Sequence, residues 1–436
     1  MAINNEVYKK DMEIYMNQTP KSRSEYELAK KYMPGGETRS ICFHKPYPLT
    51  IKKAHGAYLH DVDGNRYIDF LNNYTAMIHG HAHEYITEKA QAALLKGTAY
   101  AATIPEQIEF AELLCNRLPS VENVRFCNSG TEATMFAIRA ARTFTKKTSI
   151  IKMDGAYHGT HDLAAWKSRH NTAVFTRSIS QDIYVAPFND SEAIEEILSQ
   201  NADDIAAILV EPVMGVAGVI PPKEGYLDKL RKLADQYQVL LIFDEVQSLR
   251  LDIGGAQEMY GVTPDLTCMA KIIGGGFPVG AFGGKKEIMD MFDPSKDSFL
   301  AHGGTFNGNK VTMSAGIAAM QLLDKEKIKK MNILSTELEN NIKEVIKQLN
   351  IPVTLTRVGS MMNIHFTEYE PEHYAETLHI NKELINILHI KLLNRGIFIA
   401  PRGLMNLSTV MTQQDIQDTS DVFRDVLQEM VALFDN

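Results

Sequence analysis

Continuous apolar runs of strand length, separated by helical segments, constrain the fold of this chain more than any other feature. The runs are TSIIKMD, DIAAILVEPV and VLLIFDEV, and the amphipathic segment YLDKLRKLADQYQ lies between the last two. Strands that are apolar on both faces belong in a parallel sheet that helices cover on both sides. The sequence therefore predicts an α/β fold with a large, mostly parallel sheet from about residue 80 onward.

The pattern differs on either side of this region. The segment AYLHDVDGNRYIDF alternates apolar and polar positions around Asp63 and Gly64, which predicts a hairpin. After about residue 320, a charged helix (321–349), the segment VTLTRVGSMMNIHF, a second helix (381–395) and GIFIAP indicate a smaller α+β domain.

A chain of 436 residues is too long for one ordinary core, so we expect several domains. The boundaries that the patterns suggest are as follows: an N-terminal arm with part of the small domain at 1–75, the large domain at 76–320, and the C-terminal small domain at 321–436.

Charge and cysteine usage bear on partners and location. A formal net charge of −9 argues against nucleic acid or an anionic membrane as partner, since both attract basic surfaces. The N-terminus is polar, without the apolar segment of a secretory signal, and no apolar run is long enough for a membrane span. The four cysteines are scattered, as is typical of reduced thiols, so a cytoplasmic protein is expected.

The segment FCNSGTEA predicts a strand, a turn at Gly130 and the start of a helix. Unpaired backbone N–H groups and a positive dipole at a helix N-terminus suit a phosphate. Ser129 and Glu132 have the spacing of a capping box, and an ordinary capped helix is the favoured interpretation of this segment taken alone.

Asp244 and Glu245 fall at the carboxyl end of the apolar run VLLIFDEV. Ligands of open α/β sheets gather at these strand ends. The plainer alternative is an exposed pair of acidic residues.

The segment DLTCMAKIIGGGFPVGAFGG places Lys271 after an apolar stretch and before Gly274, Gly275 and Gly276. A lysine acts as a nucleophile when desolvation or nearby positive charge lowers its pKa, and the glycines allow close approach to a ligand. The segment GAYHG could place the ring of Tyr157 over a flat heterocycle. A surface lysine and a structural tyrosine are the alternatives.

These motifs, in this order, resemble those of class III (ω-type) aminotransferases, which are fold-type I enzymes that depend on pyridoxal phosphate. The resemblance extends from PGGETR to PRGLMNLS, and KIIGGGFPVGAFGG is similar to the glutamate-1-semialdehyde aminomutase branch of the family. It implies a large, mostly parallel sheet domain with a smaller α+β domain, small-molecule amino and keto acid substrates, and a homodimer.

The resemblance also implies roles for individual residues. Lys271 would form the Schiff base with the cofactor and carry the proton, and Asp244 would pair with the pyridine nitrogen. The remaining cofactor contacts that it implies are Ser129, Gly130 and Thr131 at the phosphate, Tyr157 on the ring, His158, Gln247 near the phenolic oxygen, and Thr305, which would reach the phosphate of the neighbouring subunit.

Two departures from the aminomutase pattern bear on the reaction. The N-terminal segment is PGGETRS and the late segment is GIFIAPRGLMNLST, without the expected glutamate, and they contain Arg39 and Arg402. The patterns PGG-x-TR and RG-x-x-x-LS in these segments resemble those of β-amino-acid (β-phenylalanine-type) transaminases. An arginine fork binds a carboxylate through two hydrogen bonds, so the resemblance implies that Arg39 holds the carboxylate of a β-amino acid and that Arg402 helps to hold that of the keto-acid partner. The expected function is thus a ping-pong transaminase for β-amino acids, as in β-phenylalanine-type enzymes.

Three alternatives remain open from the sequence. An aminomutase of the glutamate-1-semialdehyde type would need no external acceptor, and a racemase or epimerase would return the proton to the substrate carbon. A non-catalytic regulator with the same fold would be expected to lack Lys271 or Asp244, and both are present. The segment HGHAH could suggest a metal, but no second group of ligands accompanies it, so no metal is expected.

Overall fold

The computed structural model describes residues 5–166 and 181–434. The α-helices are α1 (Asn5–Gln18), α2 (Pro20–Ala29), α3 (Glu84–Leu94), α4 (Pro105–Arg117), α5 (Gly130–Thr145), α6 (Asp162–Ala165), α7 (Ser191–Asn201), α8 (Tyr226–Gln236), α9 (Gly255–Tyr260), α10 (Lys286–Met289), α11 (Lys310–Leu322), α12 (Lys325–Leu349), α13 (Tyr374–Thr377), α14 (Lys382–Leu393) and α15 (Gln413–Met430). The strands are β1 (Ile51–His55), β2 (Tyr58–Asp61), β3 (Arg66–Asp69), β4 (Asn123–Cys127), β5 (Ser149–Met153), β6 (Ile183–Ala186), β7 (Ile205–Val210), β8 (Leu240–Asp244), β9 (Leu266–Ala270), β10 (Gly280–Gly284), β11 (Thr354–Val358), β12 (Met361–His365), β13 (Ile397–Phe398) and β14 (Leu404–Asn406).

One compact unit comprises residues 84–328 and 371–378. Among its described residues, seven strands form a sheet in the order β4-β10-β9-β8-β7-β5-β6. Strands β6, β5, β7, β8 and β9 pair in parallel, and β10 is antiparallel to both β4 and β9. The mostly parallel sheet that the apolar runs predicted is confirmed.

Both faces of this sheet are buried, as the continuous apolar runs require. Ile208 and Phe243 belong to one hydrophobic cluster, while Leu209 and Ile242, their neighbours along the same strands, belong to another. All four side chains are completely buried. Since a fully buried apolar side chain of this size contributes roughly 1.5–3 kcal/mol, the two clusters hold the sheet rigid and fix where its strands end.

The second unit comprises residues 1–83, 329–370 and 379–436. Its described strands form two sheets, β1-β2-β3-β13 and β11-β12-β14. The hairpin predicted around Asp63 and Gly64 is present: β2 and β3 pair antiparallel, and Oδ1 of Asp61 accepts hydrogen bonds from the N–H groups of residues 63, 64 and 65. The domain boundaries suggested by the sequence remain predictions.

Helix α12 begins later than the sequence predicted. The charged helix was expected from residue 321, but α11 ends at Leu322 and α12 starts at Lys325. Oδ1 of Asp324 accepts the N–H of Lys327 at 2.8 Å, so Asp324 caps a new helix and the chain changes direction there. In the described part of the chain, no helix is both long and apolar enough to cross a membrane.

Candidate active site

The carboxyl ends of the adjacent parallel strands β8 and β9 place two of the predicted catalytic residues. Asp244 is the last residue of β8 and pairs with Cys268 of β9, and Lys271 follows the end of β9. Lys271 has φ = +52°, a left-handed conformation that is uncommon for a residue with a side chain. Such strained backbone is concentrated at functional sites, where it aims a side chain that regular structure would point elsewhere.

Asp244 is buried and directed by two hydrogen bonds. Its side chain is 5% exposed, Nδ1–H of His158 donates to Oδ2 at 2.8 Å, and the N–H of Val246 donates to Oδ1 at 3.1 Å. Glu245, the other acidic residue of this strand end, is completely buried and accepts the N–H groups of Ala256 and Gln257 at the start of α9. Burial raises the pKa of Glu245, while these N–H groups lower it. Asp244 is therefore the candidate for contact with a ligand, whereas Glu245 stabilises the start of α9.

The turn before α5 has the geometry of a phosphate site. Ser129 is the N-cap of α5, and its Oγ accepts the N–H of Glu132 at 3.1 Å. The predicted capping box is only half present, because Glu132 accepts the N–H of Asn128 instead of that of Ser129. The N–H of Ser129 therefore does not donate to Glu132, and Ser129 directly precedes the first N–H groups of α5.

The GAYHG loop lies against this helix start. Oγ1 of Thr131 accepts the N–H of Thr160 at 3.3 Å, and a Cβ placed at Gly159 would lie 2.6 Å from that Oγ1. At Gly130, a Cβ would lie 3.2 Å from Val246, so a larger residue would crowd the strand end. The two glycines thus permit a close approach of the loop, the helix and the strand end.

Tyr157, His158 and Gln247 present polar atoms or ring surface at the same strand ends. Tyr157 is 44% exposed although its loop is packed, so part of its ring is accessible to a ligand. Nε2 of His158 and Oε1 of Gln247 are buried without a hydrogen-bond partner among the described residues. Buried polar atoms of folded proteins are nearly always paired, so these two atoms indicate that a bound group completes the site.

Thr305 lies in the segment 303–309, between β10 and α11, and is exposed. Asn307, two residues further along, accepts a hydrogen bond at 2.7 Å from Nδ2 of Asn128, the residue just before Ser129. Phe306 is 62% exposed. The segment is thus anchored by Asn307 while Thr305 and Phe306 face outward.

Arg39 and Arg402 meet in the other unit, on the ring of Tyr74. Their guanidinium carbons lie 5.4 Å and 5.3 Å from the centre of that ring. Nη1 of Arg39 also donates to Oδ1 of Asn73 at 2.6 Å. The structure brings together two residues from opposite ends of the chain, and we call Arg39, Tyr74 and Arg402 the arginine cluster.

The backbone that carries Tyr74 is irregular. Asn72, Asn73, Tyr74 and Thr75 all have positive φ, between 48° and 78°. Asparagine tolerates this region better than most residues, and Nδ2 of Asn72 is held by the carbonyl of Asn406 at 2.6 Å. The hydroxyl of Tyr74 donates to the carbonyl of Ile41 at 2.5 Å, so the ring is fixed at both ends.

The histidines of HGHAH serve the packing of their own unit. Nε2 of His81 lies 2.7 Å from Oδ2 of Asp69, and Nδ1 of His79 lies 3.0 Å from Oγ1 of Thr409. Gly80 and Ala82 have positive φ, so the segment is not the extended strand that would align three imidazoles. Among the residues described, no group of three metal-ligating side chains is found.

Sequence reasoning missed two residues of these sites. Glu211 follows β7 and accepts the N–H of Tyr157 at 2.9 Å; its signal was a carboxylate after an apolar run, the same signal that identified Asp244. Tyr74 had only a weak signal, the Asn-Asn pair before it, because its partners are distant in the sequence.

Residues 43–427 match the family Aminotransferase class-III. The chain is 45% identical to glutamate-1-semialdehyde 2,1-aminomutase of Ignicoccus hospitalis, over 86% of this chain and 91% of that protein. It is 40% identical to the enzyme of the same name from Methanosphaera stadtmanae, over 94% and 99%. Among solved structures, the β-phenylalanine aminotransferase from Variovorax paradoxus has a TM-score of 0.92 and 34% identity, with 98% of each chain covered.

These comparisons correct the expected reaction. The prediction of a β-amino-acid transaminase is wrong, because curated relatives that are 38% to 45% identical over most of the chain are glutamate-1-semialdehyde 2,1-aminomutases. The error has a physical reason. An arginine fork binds any carboxylate, so Arg39 and Arg402 could not distinguish a β-amino acid from another substrate with a carboxylate.

The turn before α5, the accessible tyrosine ring, the buried carboxylate and the lysine fit pyridoxal phosphate, which is bound in a solved transaminase that is 34% identical to this chain. The fold is correspondingly that of fold-type I enzymes with this cofactor. The chain belongs to the class-III aminotransferases and is an enzyme dependent on pyridoxal phosphate.

Proposed function

We propose that this protein is an aminomutase that moves the amino group of glutamate 1-semialdehyde from carbon 2 to carbon 1. The observation that carries the proposal is the 38% to 45% identity to aminomutases of that name over nearly the whole chain. The product would be 5-amino-4-oxopentanoate. Because the amino group stays on the same carbon skeleton, no external keto acid is consumed.

The residues around the ends of β8 and β9 are proposed to hold the cofactor. Ser129, Gly130 and Thr131 would bind its phosphate through backbone N–H groups and hydroxyls, as suits the start of α5. Tyr157 would cover the ring, and the paired Asp244 and His158 would meet the ring nitrogen. When bound, the cofactor supplies an electron-withdrawing ring that stabilises negative charge at a substrate carbon.

Gln247 would lie near the phenolic oxygen of the cofactor, and its Oε1, which is buried without a hydrogen-bond partner among the described residues, would accept a hydrogen bond there. Lys271 would hold the cofactor covalently through Nζ. Once released by the substrate amine, the same Nζ would accept and return the proton at the substrate carbon that bears nitrogen. The left-handed backbone at Lys271 supports this role, because strained backbone conformations are concentrated at functional sites.

Arg39 and Arg402 are proposed to bind the carboxylate of glutamate 1-semialdehyde. The Oδ1 of Asn73 accepts a hydrogen bond from Nη1 of Arg39, and both guanidinium carbons lie within 5.4 Å of the centre of the Tyr74 ring. Aromatic support restricts the rotation of an arginine without neutralising its charge. The cluster can therefore present ordered N–H donors to an anion.

We further propose a cytoplasmic homodimer in which Thr305 contributes to the phosphate site of the neighbouring subunit. The exposure of Thr305 and Phe306 on an anchored segment supports a contact with another copy. The cytoplasmic location rests on the scattered cysteines and stays a prediction.

The test is to supply cofactor-loaded protein with glutamate 1-semialdehyde and no other amino donor or acceptor. We expect stoichiometric formation of 5-amino-4-oxopentanoate, with Lys271→Ala as the inactive control. A strict requirement for an added keto acid would contradict the proposal, and so would loss of optical activity of the substrate without transfer of its amino group.

A further inference from the structure

Glu211 is a buried carboxylate that the proposed mechanism does not use. It follows β7, the strand next to β8, and Val210 pairs with Phe243, so Glu211 and Asp244 leave the sheet at the same level. Its side chain is 4% exposed. A carboxylate buried at the ligand-binding edge of a parallel sheet needs an explanation, because burial of a charge is unfavourable without compensating contacts.

The contacts of Glu211 are the backbones of two loops. Oε1 accepts the N–H of Tyr157 at 2.9 Å, and Oε2 accepts the N–H of Gly215 at 3.1 Å. Each oxygen therefore fixes a different segment, and one side chain sets the distance between them. Hydrogen bonds from N–H groups to a carboxylate are shorter and stronger than those between neutral groups.

The second of these loops borders Gln247. A Cβ placed at Gly215 would lie 1.9 Å from Oε1 of Gln247, so this amide occupies the place that a side chain at position 215 would need. Any displacement of Gly215 toward the strand end would move Gln247. Glu211 is thus connected to Tyr157 directly and to Gln247 through Gly215.

Glu211 also lies in the electrostatic field of His158 and Asp244. Burial raises the pKa of Glu211, His158 lowers it, and the negative charge of Asp244 raises it further. The N–H groups of Tyr157 and Gly215 act in the opposite direction to burial. The carboxyl group is therefore coupled to both residues that would meet the ring nitrogen of the cofactor.

We propose that Glu211 is a positioning residue that sets the places of Tyr157 and Gln247 by holding the loops that carry or border them. The inference rests on the proposed assignment of these two residues as cofactor contacts, and it does not depend on the substrate. Glu211 itself touches the backbone of the loops and acts on the cofactor only through its neighbours.

The decisive variant is Glu211→Gln, which keeps the volume but replaces one acceptor oxygen by an NH₂ group that faces a backbone N–H. Apoprotein is titrated with pyridoxal phosphate, and the circular dichroism of the bound cofactor's visible band is recorded. We expect the dissociation constant of the cofactor to rise on the order of tenfold, and the amplitude of the dichroic band to change. The dichroism reports the orientation of the ring, which a merely structural loss of stability would not alter.

Glu258→Gln is the matched control, because Oε2 of Glu258 accepts the N–H of Gly254 at 2.5 Å in the same unit. It should leave both quantities unchanged. If Glu211→Gln lowers thermal stability but keeps the affinity and the dichroism of the native protein, the proposal is overturned. Neither measurement uses glutamate 1-semialdehyde, so a failure of the proposed reaction is a separate result.

Gly215→Ala provides a second variant should Glu211→Gln not fold. The added methyl group would meet Oε1 of Gln247, so we expect the same loss of affinity and the same kind of dichroic change. Native affinity and dichroism in Gly215→Ala would show that the loop does not position Gln247, which would overturn the inference.

Discussion

The strand end at Asp244 and the arginine cluster at Tyr74 differ in how their side chains are held in place. Asp244 ends a regular strand, is 5% exposed and has both oxygens engaged. Arg39 is exposed, and Tyr74 lies in a run of four residues with positive φ. The residues proposed for the cofactor are thus held by the core, whereas the turn that carries Tyr74, beside the arginines proposed for the substrate, has irregular backbone.

The two constructions predict different consequences of substitution. A residue that ends a strand of a rigid sheet acts on chemistry, so its loss should lower kcat. A residue on an irregular turn that binds one substrate group should mainly raise KM.

The largest effect is expected for Lys271→Ala. Loss of the amine removes both the covalent attachment of the cofactor and the proton carrier, so activity should fall by about 1,000-fold or more. Visible absorbance and borohydride trapping of the bound cofactor measure the attachment. Lys286→Ala, an exposed lysine paired with Asp290, is the control and should keep both. Trapping of the cofactor on Lys271→Ala at the native level would show that another residue carries it.

Asp244→Asn should lower kcat on the order of 100-fold, because a preorganised charge facing the reacting system is removed while the volume is kept. The comparison variant is Glu245→Gln at the same strand end. Since Glu245 accepts backbone N–H groups of α9, its replacement should lower thermal stability and should lower kcat less than Asp244→Asn does. Equal losses of kcat in the two variants would remove the distinction between these neighbours.

Arg39→Ala and Arg402→Ala should each raise KM for glutamate 1-semialdehyde by roughly 10- to 100-fold, with a smaller change in kcat. Arg66→Ala is a matched control, because its guanidinium also lies over a tyrosine, Tyr58, at 4.7 Å. Steady-state kinetics measures all three variants. The assignment fails if KM for both cluster variants equals that of Arg66→Ala.

The smallest effect on activity is expected for a histidine that acts on the acid stability of the unit that carries the arginine cluster. Nε2 of His44 is buried, its ring is 4.8 Å from that of His389, and burial lowers the pKa of His44 to about 4. An unfolded histidine titrates near 6.5, so between these values the unfolded chain binds more protons. Stability should therefore fall as the pH decreases from about 6.5 to about 4, by up to about 1.4 kcal/mol per pH unit for this group.

His44→Phe should flatten that dependence, since it keeps an aromatic ring and removes the titration. Denaturant unfolding across this pH range gives the slope, and His55→Phe, which replaces an exposed histidine of the same unit, is the control. The same slope in both variants would exclude His44 as a source of the acid sensitivity.

Much of the region proposed for the cofactor could be predicted from the sequence, because the patterns that indicate it span only a few residues. Continuous apolar runs identified the parallel strands, and the carboxylate after one of them identified Asp244. The N-cap at Ser129 was also readable, although Glu132 bonds Asn128 instead of completing the box. The break between α11 and α12 was missed because the helical periodicity continues across Asp324, which nevertheless caps a new helix.

The arginine cluster could not be derived in the same way. Two arginines in the expected segments indicated a carboxylate, but the substrate drawn from them was wrong. Arg39 and Arg402 are supported by Tyr74, whose position depends on a left-handed turn tied to Asn406. No local pattern encodes contacts between segments so far apart in the chain.

The sequence by itself determined the elements and the strand ends, since hydrophobic periodicity and capping act over a few residues. Only the tertiary structure decided which hydrogen-bond partners each side chain at a strand end has. Asp244 and Glu245 are adjacent and chemically alike, yet their carboxylates have different hydrogen-bond partners. Asp244 is hydrogen-bonded to His158, and Glu245 accepts a backbone N–H at the start of α9. Which residue has which partner depends on packing between distant segments.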